Sequence, residues 1–171
     1  KNLAVAITPG GKGDVTDTNV AWKVTKGLPY VPSPVVYRGV MYTVNMRGRL
    51  SAHDAKTGKE VYLDEAVSLN GGVYASPLAA DGHLYLCGLD KTVVVVTAGE
   101  SPDRVCVTKL DGRIAATPAA AGGVLYVRTD GTLWAFAETG AKPTRRGGWA
   151  FTPGRTVSGP GPRTRAARPA A

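Results

Sequence analysis

The residue types best able to do chemistry in this chain are two cysteines and two histidines: Cys87, Cys106, His53 and His83. A zinc site needs ligands in closely spaced pairs such as Cys-x-x-Cys or His-x-x-x-His, and the sequence has neither spacing. His53 stands beside Asp54, but neighbouring side chains on a strand point to opposite faces, so the two do not form a catalytic pair. The sequence therefore predicts no metal site and no catalytic residue.

Two segments near the start of the chain contain residue types found in ion-binding loops. Asp14, Asp17 and Asn19 offer oxygen atoms to a Ca²⁺ ion, but their spacing is not that of an EF-hand loop. The stretch from Gly10 to Gly13 lacks the Gly-Lys-Ser/Thr step and the following helix of a phosphate-binding loop. Such residues often bond their own backbone in turns. We interpret both segments as turns, with calcium binding at the first as the alternative.

The charge of the chain is concentrated at its C-terminal end. The 171 residues carry a formal net charge of +8, yet all 13 acidic residues lie at or before Glu138. Seven of the 21 basic residues follow Glu138, so the remaining 14 leave the first 138 residues nearly neutral. Residues 139–171 are rich in Pro, Gly, Arg and Ala, and we predict a disordered basic tail. Nucleic-acid binding is therefore not favoured, although the tail keeps it as an alternative.

The first 138 residues contain an internal repeat with a period near 42. Ser/Thr-Pro steps begin at residues 33, 76 and 117, and Gly-x-x-Tyr steps begin at residues 39, 82 and 123. Both markers therefore keep spacings of 43 and 41 residues. The second marker ends each time in a tyrosine, and equivalent repeat positions usually pack against the next repeat. We predict that Tyr42, Tyr85 and Tyr126 lie in the core between repeats.

Each repeat is predicted to form short strands separated by glycine turns. No run approaches the roughly 18 apolar residues of a membrane-spanning helix, and no helical period is present. Four strands in about 42 residues is the size of one propeller blade, so the fold class is all-β. The predicted strands are Leu3–Ile7, Val20–Val24, Pro34–Tyr37, Val40–Asn45, Arg49–His53, Glu60–Leu63, Thr92–Thr97, Arg104–Lys109, Ala119–Ala120, Leu125–Arg128 and Leu133–Phe136.

This assignment bears on the two cysteines. Cys87 falls on the second strand and Cys106 on the fourth strand of one blade, which puts them about 9–10 Å apart. A disulfide needs Cα atoms within about 7 Å. The spacing favours two buried free thiols, and a disulfide remains the alternative.

The first full repeat resembles the PQQ-like (pyrroloquinoline quinone) β-propeller repeat of bacterial proteins. In that repeat a strand ending in Ala-x-Asp precedes a Lys-Thr-Gly-Lys turn and an aromatic residue, usually Trp. Here Tyr62 stands at the position of the Trp, and Trp22 matches it in the preceding segment. The resemblance implies a partial propeller of about three four-stranded blades: half a blade at 1–30, blades at 31–73, 74–114 and 115–138, and the tail at 139–171. The turn residues that carry the resemblance are Asp54, Lys56, Thr57 and Gly58.

The resemblance also implies roles for these residues. Trp22 and Tyr62 would lie on the outer strand of a blade, where the ring covers the next blade. Asp54 more simply orders the turn at Lys56, Thr57 and Gly58 than acts as an acid or base.

Two functions are compatible with the resemblance. One branch of the family consists of dehydrogenases that hold PQQ and Ca²⁺, and the other consists of cofactor-free binding scaffolds. The adjacent cysteines that many of the dehydrogenases carry are absent here, so we expect a scaffold without a cofactor. A fragment of a PQQ- and Ca²⁺-dependent oxidoreductase is the alternative, and no cofactor-binding residue is predicted.

The same resemblance implies an exported, periplasmic parent protein of which this chain is the C-terminal part. The expected partners are the remaining blades of that parent, another copy of the chain, or a separate protein. No signal peptide is recognised in the sequence as given.

Overall fold

A computed structural model describes residues 2–137, and all regular elements in that range are β-strands. They form four antiparallel sheets in simple up-and-down order. These are an N-sheet within residues 4–24 (β1–β2), sheet 1 within residues 35–66 (β3–β6), sheet 2 within residues 78–109 (β7–β10) and sheet 3 within residues 119–136 (β11–β13). The predicted tail lies outside the described residues, and the repeat limits stay a prediction. The strands, β1 to β13 in order, are Ala4–Ile7, Val20–Val24, Val35–Tyr37, Val40–Val44, Arg49–Asp54, Glu60–Ala66, Leu78–Ala80, His83–Cys87, Thr92–Thr97, Arg104–Lys109, Ala119–Ala121, Val124–Arg128 and Leu133–Phe136.

The glycine of each Gly-x-x-Tyr step makes a tight hairpin between the first two strands of a sheet. Two residues join the strands at each site, and both have positive φ angles. That backbone is a type I′ turn, which matches the twist of a hairpin and favours Gly, Asn or Asp. The three pairs are Arg38 and Gly39 (50° and 80°), Asp81 and Gly82 (48° and 76°), and Gly122 and Gly123 (56° and 80°).

Sheets 1 to 3 pack face to face in series. On β8, Leu84 and Leu86 lie in the core shared with sheet 1, whereas Tyr85 and Cys87 lie in the core shared with sheet 3. Successive side chains of a strand point to opposite faces, so the second strand of sheet 2 is apolar on both. Sheet 2 is therefore a middle layer that is buried on both sides.

The expectation of an all-β fold with four-stranded antiparallel sheets is confirmed, and most strand limits agree within two residues. The largest difference is at β6, which was predicted to end at Leu63 and ends at Ala66. Its pairing with β5 shifts near Asp64, which has a φ of 53°, and then continues at Glu65 and Ala66. Cys87 and Cys106 are both free, and Cys87 is buried as predicted, but Cys106 is only half-buried because it lies on the outer strand β10. No helix among the described residues is long and apolar enough to cross a membrane.

Two leucines at the same register test how much the packing between sheets stabilises the fold. Leu50 on β5 pairs with Val44 and is fully buried, whereas Leu133 on β13 pairs with Arg128 and is 54% exposed. Leu50→Ala should lower the free energy of unfolding by about 2–5 kcal/mol because it opens a cavity between sheets 1 and 2. Leu133→Ala should change it by no more than about 0.5 kcal/mol. Urea denaturation at pH 7 measures both, and equal losses would contradict this account of the core.

Candidate functional site: the contacts between sheets

We call the turn after β5 the motif turn, because it contains the repeat residues Asp54, Lys56, Thr57 and Gly58. One carboxylate organises it. Oδ1 of Asp54 accepts hydrogen bonds from the backbone N–H of Lys56 (3.1 Å) and from both the N–H and the hydroxyl of Thr57 (2.7 Å each). The N–H of Gly58 donates to the backbone oxygen of Asp54 (2.8 Å). The hydrogen bond from the Thr57 hydroxyl is the main reason that the pKa of Asp54 lies below its usual value. The carboxylate therefore holds a turn.

This turn forms the surface on which the neighbouring sheet docks. The indole N–H of Trp22, on β2, donates to the backbone oxygen of Ala55 at 3.2 Å. The ring lies against Gly58, where an added Cβ would come within 2.7 Å of the Trp22 ring. Gly58 also has a φ of +71°, so both the backbone and the neighbouring ring require glycine there. The N-sheet is thus joined to sheet 1 through the motif turn.

Tyr62 occupies the position on β6 that Trp22 occupies on β2. It is 8% exposed and lies in the core between sheets 1 and 2, against which Ala98 packs. Its hydroxyl is buried and has no hydrogen-bond partner, and burial raises its pKa. The tyrosine therefore packs on the next sheet from the same position of the outer strand as Trp22 does, but it does not make the hydrogen bond that Trp22 makes.

The three repeat tyrosines differ in exposure according to what covers them. Tyr42 and Tyr85 are 1% and 2% exposed, in the cores between sheets 1 and 2 and between sheets 2 and 3. Burial raises the pKa of Tyr85 to about 12. Tyr126 is only half-buried, because no sheet of the described part of the chain packs on that face of sheet 3.

The Ser/Thr-Pro steps form a chain of hydrogen bonds from sheet to sheet. The N–H of Ser33 donates to the hydroxyl of Ser76 at 2.8 Å, and the N–H of Ser76 donates to the hydroxyl of Thr117 at 3.0 Å. The N–H of Gly82 also donates to the hydroxyl of Tyr37 at 2.9 Å. The spacing of the steps marked the repeat, but only the structure shows that their hydroxyls join successive sheets.

The residues considered for chemistry take structural positions. Asn19 donates to the backbone oxygens of Thr8 (2.9 Å) and Gly10 (3.0 Å), and Asp14 accepts from the N–H of Thr16 at 2.9 Å. This loop therefore bonds its own backbone. Within residues 2–137, no group of three His, Cys, Asp or Glu side chains could hold a metal ion.

His53 is a buried histidine whose position the sequence did not reveal. It is 2% exposed and lies on the face of β5 away from sheet 2, opposite Met41, and its Nδ1 atom has no hydrogen-bond partner. Burial is the main cause that lowers its pKa below 6.5, and Glu60 on β6 acts weakly in the other direction. Because no group bonds Nδ1 to orient the ring for proton transfer, we interpret His53 as a packing residue.

Comparison with known proteins identifies the family. The family model described as outer membrane protein assembly factor BamB matches residues 11–102, which is just over half of the chain. The chain belongs to this family of PQQ-like repeat proteins. The matched residues include the motif turn, Trp22 and the first two Ser/Thr-Pro steps.

Individual relatives agree with this assignment. The chain is 34% identical over 127 residues to an outer membrane protein assembly factor BamB from Burkholderia pseudomallei (strain K96243). That alignment covers 72% of this chain and 32% of the relative, so the chain spans about a third of the relative's length. The structure of BamB from Moraxella catarrhalis superposes with a TM-score of 0.56 at 20% identity, over 68% of this chain and 36% of that one. This likeness shows the propeller fold.

A weaker likeness is to a quinohemoprotein alcohol dehydrogenase from Pseudomonas putida HK5. Its TM-score is 0.49 at 17% identity, over 67% of this chain and 20% of the other. It says nothing about the activity of this chain.

Two tyrosine hydroxyls should have opposite effects on stability. Tyr62→Phe removes a buried hydroxyl that has no partner, so it should raise the free energy of unfolding by about 1 kcal/mol. Tyr37→Phe removes the acceptor of the Gly82 N–H and should lower it by about 1 kcal/mol. Urea denaturation of the two variants measures both, and a loss of stability in Tyr62→Phe would show that its hydroxyl has a partner.

The buried His53 should make the fold sensitive to acid. Because the folded state lowers the pKa of His53, the unfolded chain binds a proton near pH 6.5 that the folded chain does not. The stability should therefore be full above 6.5 and fall as the pH drops below it. Urea midpoints about one pH unit on either side of 6.5 measure this slope. His53→Gln should flatten it over that window, and an unchanged slope would assign the effect to another group.

Proposed function

We propose that this chain is a non-catalytic protein-binding module of a PQQ-like propeller that takes part in the assembly of outer-membrane proteins. The observation that carries the proposal is the match of residues 11–102 to the BamB family model. The parent protein would be exported, because assembly at an outer membrane takes place outside the inner membrane. Its partners would be the other blades of the parent and the proteins being assembled or their assembly machinery.

The contacts between sheets support a scaffold. The hydroxyls of Ser76 and Thr117 and the carboxylate of Asp54 are used in hydrogen bonds that join or shape the sheets. Polar groups committed to such contacts are not available for acid–base work on a substrate. A module of this kind offers surfaces, and specificity then comes from the loops and faces that it exposes.

The proposal is tested with an unfolded outer-membrane β-barrel protein as the probe. The probe is diluted from urea into phospholipid vesicles with increasing amounts of the chain, and the folded fraction is followed by gel mobility. We expect saturable binding of the probe and a folded fraction that rises with the concentration of the chain. An unrelated globular protein at the same concentrations is the control and should have no effect.

A parallel titration with PQQ and Ca²⁺ tests the oxidoreductase alternative. We expect no saturable change in PQQ absorbance and no reduction of an added dye in the presence of an alcohol. Saturable PQQ binding with dye reduction, together with no effect on the β-barrel protein, would overturn the proposed function.

A further inference from the structure

The chain contains four asparagines and no glutamine, and one of the asparagines differs from the rest in its contacts. The side-chain amides of Asn2, Asn19 and Asn45 donate hydrogen bonds of 2.6, 2.9 and 3.0 Å. Asn70 is exposed, and within residues 2–137 its side chain makes no hydrogen bond. Of the four side-chain amides, the one at Asn70 is therefore the least restrained.

The residue that follows each asparagine sets Asn70 further apart. Leu3, Val20 and Met46 follow the other three, whereas Gly71 follows Asn70. Glycine has no Cβ, so the backbone nitrogen of Gly71 can approach Cγ of Asn70 unhindered. Gly71 is exposed, and its N–H donates to no acceptor in the described part of the chain. A nucleophile and an electrophile thus lie side by side, and no hydrogen bond holds either of them away.

Close packing explains why a glycine follows Asn70. An Asn-Gly pair is usual in a type I′ turn, which needs positive φ at both residues, and neither Asn70 nor Gly71 has one. A Cβ added at Gly71 would instead overlap the Cβ of Asp90, in the turn between β8 and β9. The packing on Asp90 therefore requires the glycine, and the glycine leaves the Asn70 amide open to attack.

The Asn-Gly pair lies in the loop between β6 and β7, which joins sheet 1 to sheet 2. On one side of the pair, Leu69 is 3% exposed in the core between the two sheets. On the other side, the backbone oxygen of Gly72 accepts a hydrogen bond from the N–H of Leu89 at 3.0 Å. The pair is therefore a short exposed connection between two anchored residues.

We propose that Asn70 is a site of spontaneous modification, at which the Asn-Gly pair closes to a succinimide that water opens to aspartate and isoaspartate. We also infer that the isoaspartate form loosens the loop between sheets 1 and 2. Neither statement depends on the proposed function.

The reaction needs only water as a second reactant. The backbone nitrogen of Gly71 forms a bond to Cγ of Asn70, and the Cγ–Nδ2 bond breaks. The nitrogen that leaves takes up the proton from the Gly71 N–H and departs as ammonia. Water then cleaves one of the two ring C–N bonds. Cleavage at Cγ gives aspartate, cleavage of the original peptide bond gives isoaspartate, and no atom is oxidised or reduced.

Isoaspartate changes the length of the main chain, which then runs through Cγ. One atom is added between Leu69 and Gly72, so at least one of these two anchored residues must shift. The new carboxylate also places a negative charge next to Gly71, which packs against Asp90. The hydrogen bond from Leu89 to Gly72 is therefore the contact that should weaken first.

Tryptic mapping tests the site, because trypsin places the four asparagines in separate peptides: 2–12, 13–23, 39–47 and 60–91. The folded chain is incubated in mildly alkaline buffer and then digested. Peptide 60–91 should gain the mass of –OH for –NH2 and accept methyl groups from an isoaspartyl methyltransferase. The other three peptides should gain this mass at least about tenfold more slowly, since their reacting groups are held or hindered. No mass gain in peptide 60–91, or equal rates in all four peptides, would overturn the proposal.

Two variants and an internal check assign the reaction to one residue. Asn70→Gln lengthens the side chain by one methylene, so the five-membered ring cannot form and the mass gain should disappear. Asn2→Gln is the matched control and should leave the mass gain in peptide 60–91 unchanged. Isomerisation at Asp81–Gly82 in the same peptide leaves the mass unchanged and is thereby distinguished. A mass gain that persists in Asn70→Gln, or is lost in Asn2→Gln, would reject the assignment.

Guanidinium chloride separates the effect of the fold from that of the sequence. The unfolded chain loses the hydrogen bonds at Asn19 and Asn45, so both residues should react faster than in the folded chain. The rate at Asn70 should change less, because the folded chain leaves that amide unbonded. Reaction of Asn70 in the unfolded chain alone would overturn the proposal.

The structural consequence has its own measurements. The incubated chain should unfold at a lower urea concentration than the fresh chain, and the N–H of Leu89 should exchange faster with solvent. Asn70→Asp adds the charge without the extra main-chain atom and should shift the urea midpoint little, because the side chain is exposed. Repair by the methyltransferase with S-adenosylmethionine should restore both readings. A chain converted mainly to isoaspartate with an unchanged midpoint and unchanged exchange at Leu89 would refute the loosening of the loop.

Discussion

The structure depends on sheets that must be covered on both faces. The second strand of sheet 2 shows this directly, because Leu84 and Leu86 point to one neighbour and Tyr85 and Cys87 to the other, all buried. A sheet of this kind loses apolar contacts if either neighbour is removed. The folding energy is therefore held mainly in the interfaces between repeats and not within any one of them, as in other repeat proteins.

Apolar contact alone does not fix the angle at which one sheet lies on the next, because it has little directional preference. The directional contacts here are few and repeated. The hydrogen bond from Ser33 to Ser76 recurs from Ser76 to Thr117, and Trp22 adds an indole hydrogen bond at the outer end of the first interface. The Ser/Thr-Pro bonds join sheets 1, 2 and 3 before their first strands, and the Trp22 bond joins the N-sheet to sheet 1 at the turn before β6.

Much of the fold could be predicted from the sequence, because the strands depend on local signals. The turns at Gly39, Gly82 and Gly123 and the alternation on either side of them need no knowledge of the neighbours. The burial of His53 and the missing partner of the Tyr62 hydroxyl could not be predicted, since both depend on what the adjoining sheet offers at that place. The role of the Ser/Thr-Pro hydroxyls was hidden for the same reason, because their partners lie 41 and 43 residues away.

The same dependence on interfaces connects the fold to binding. In a series of two-faced sheets, a sheet with only one described neighbour keeps a surface already shaped for a contact that the chain makes elsewhere. Tyr126 and Leu133 on sheet 3, the first half-buried and the second exposed, are the counterparts of Tyr42 and Leu50, which are buried at the interface of sheets 1 and 2. Such surfaces select partners by register and by alternation of side chains, because a one-residue slip would turn every apolar group to the wrong face. The packing that joins the described sheets therefore also sets the side-chain pattern of the face that sheet 3 leaves uncovered within residues 2–137.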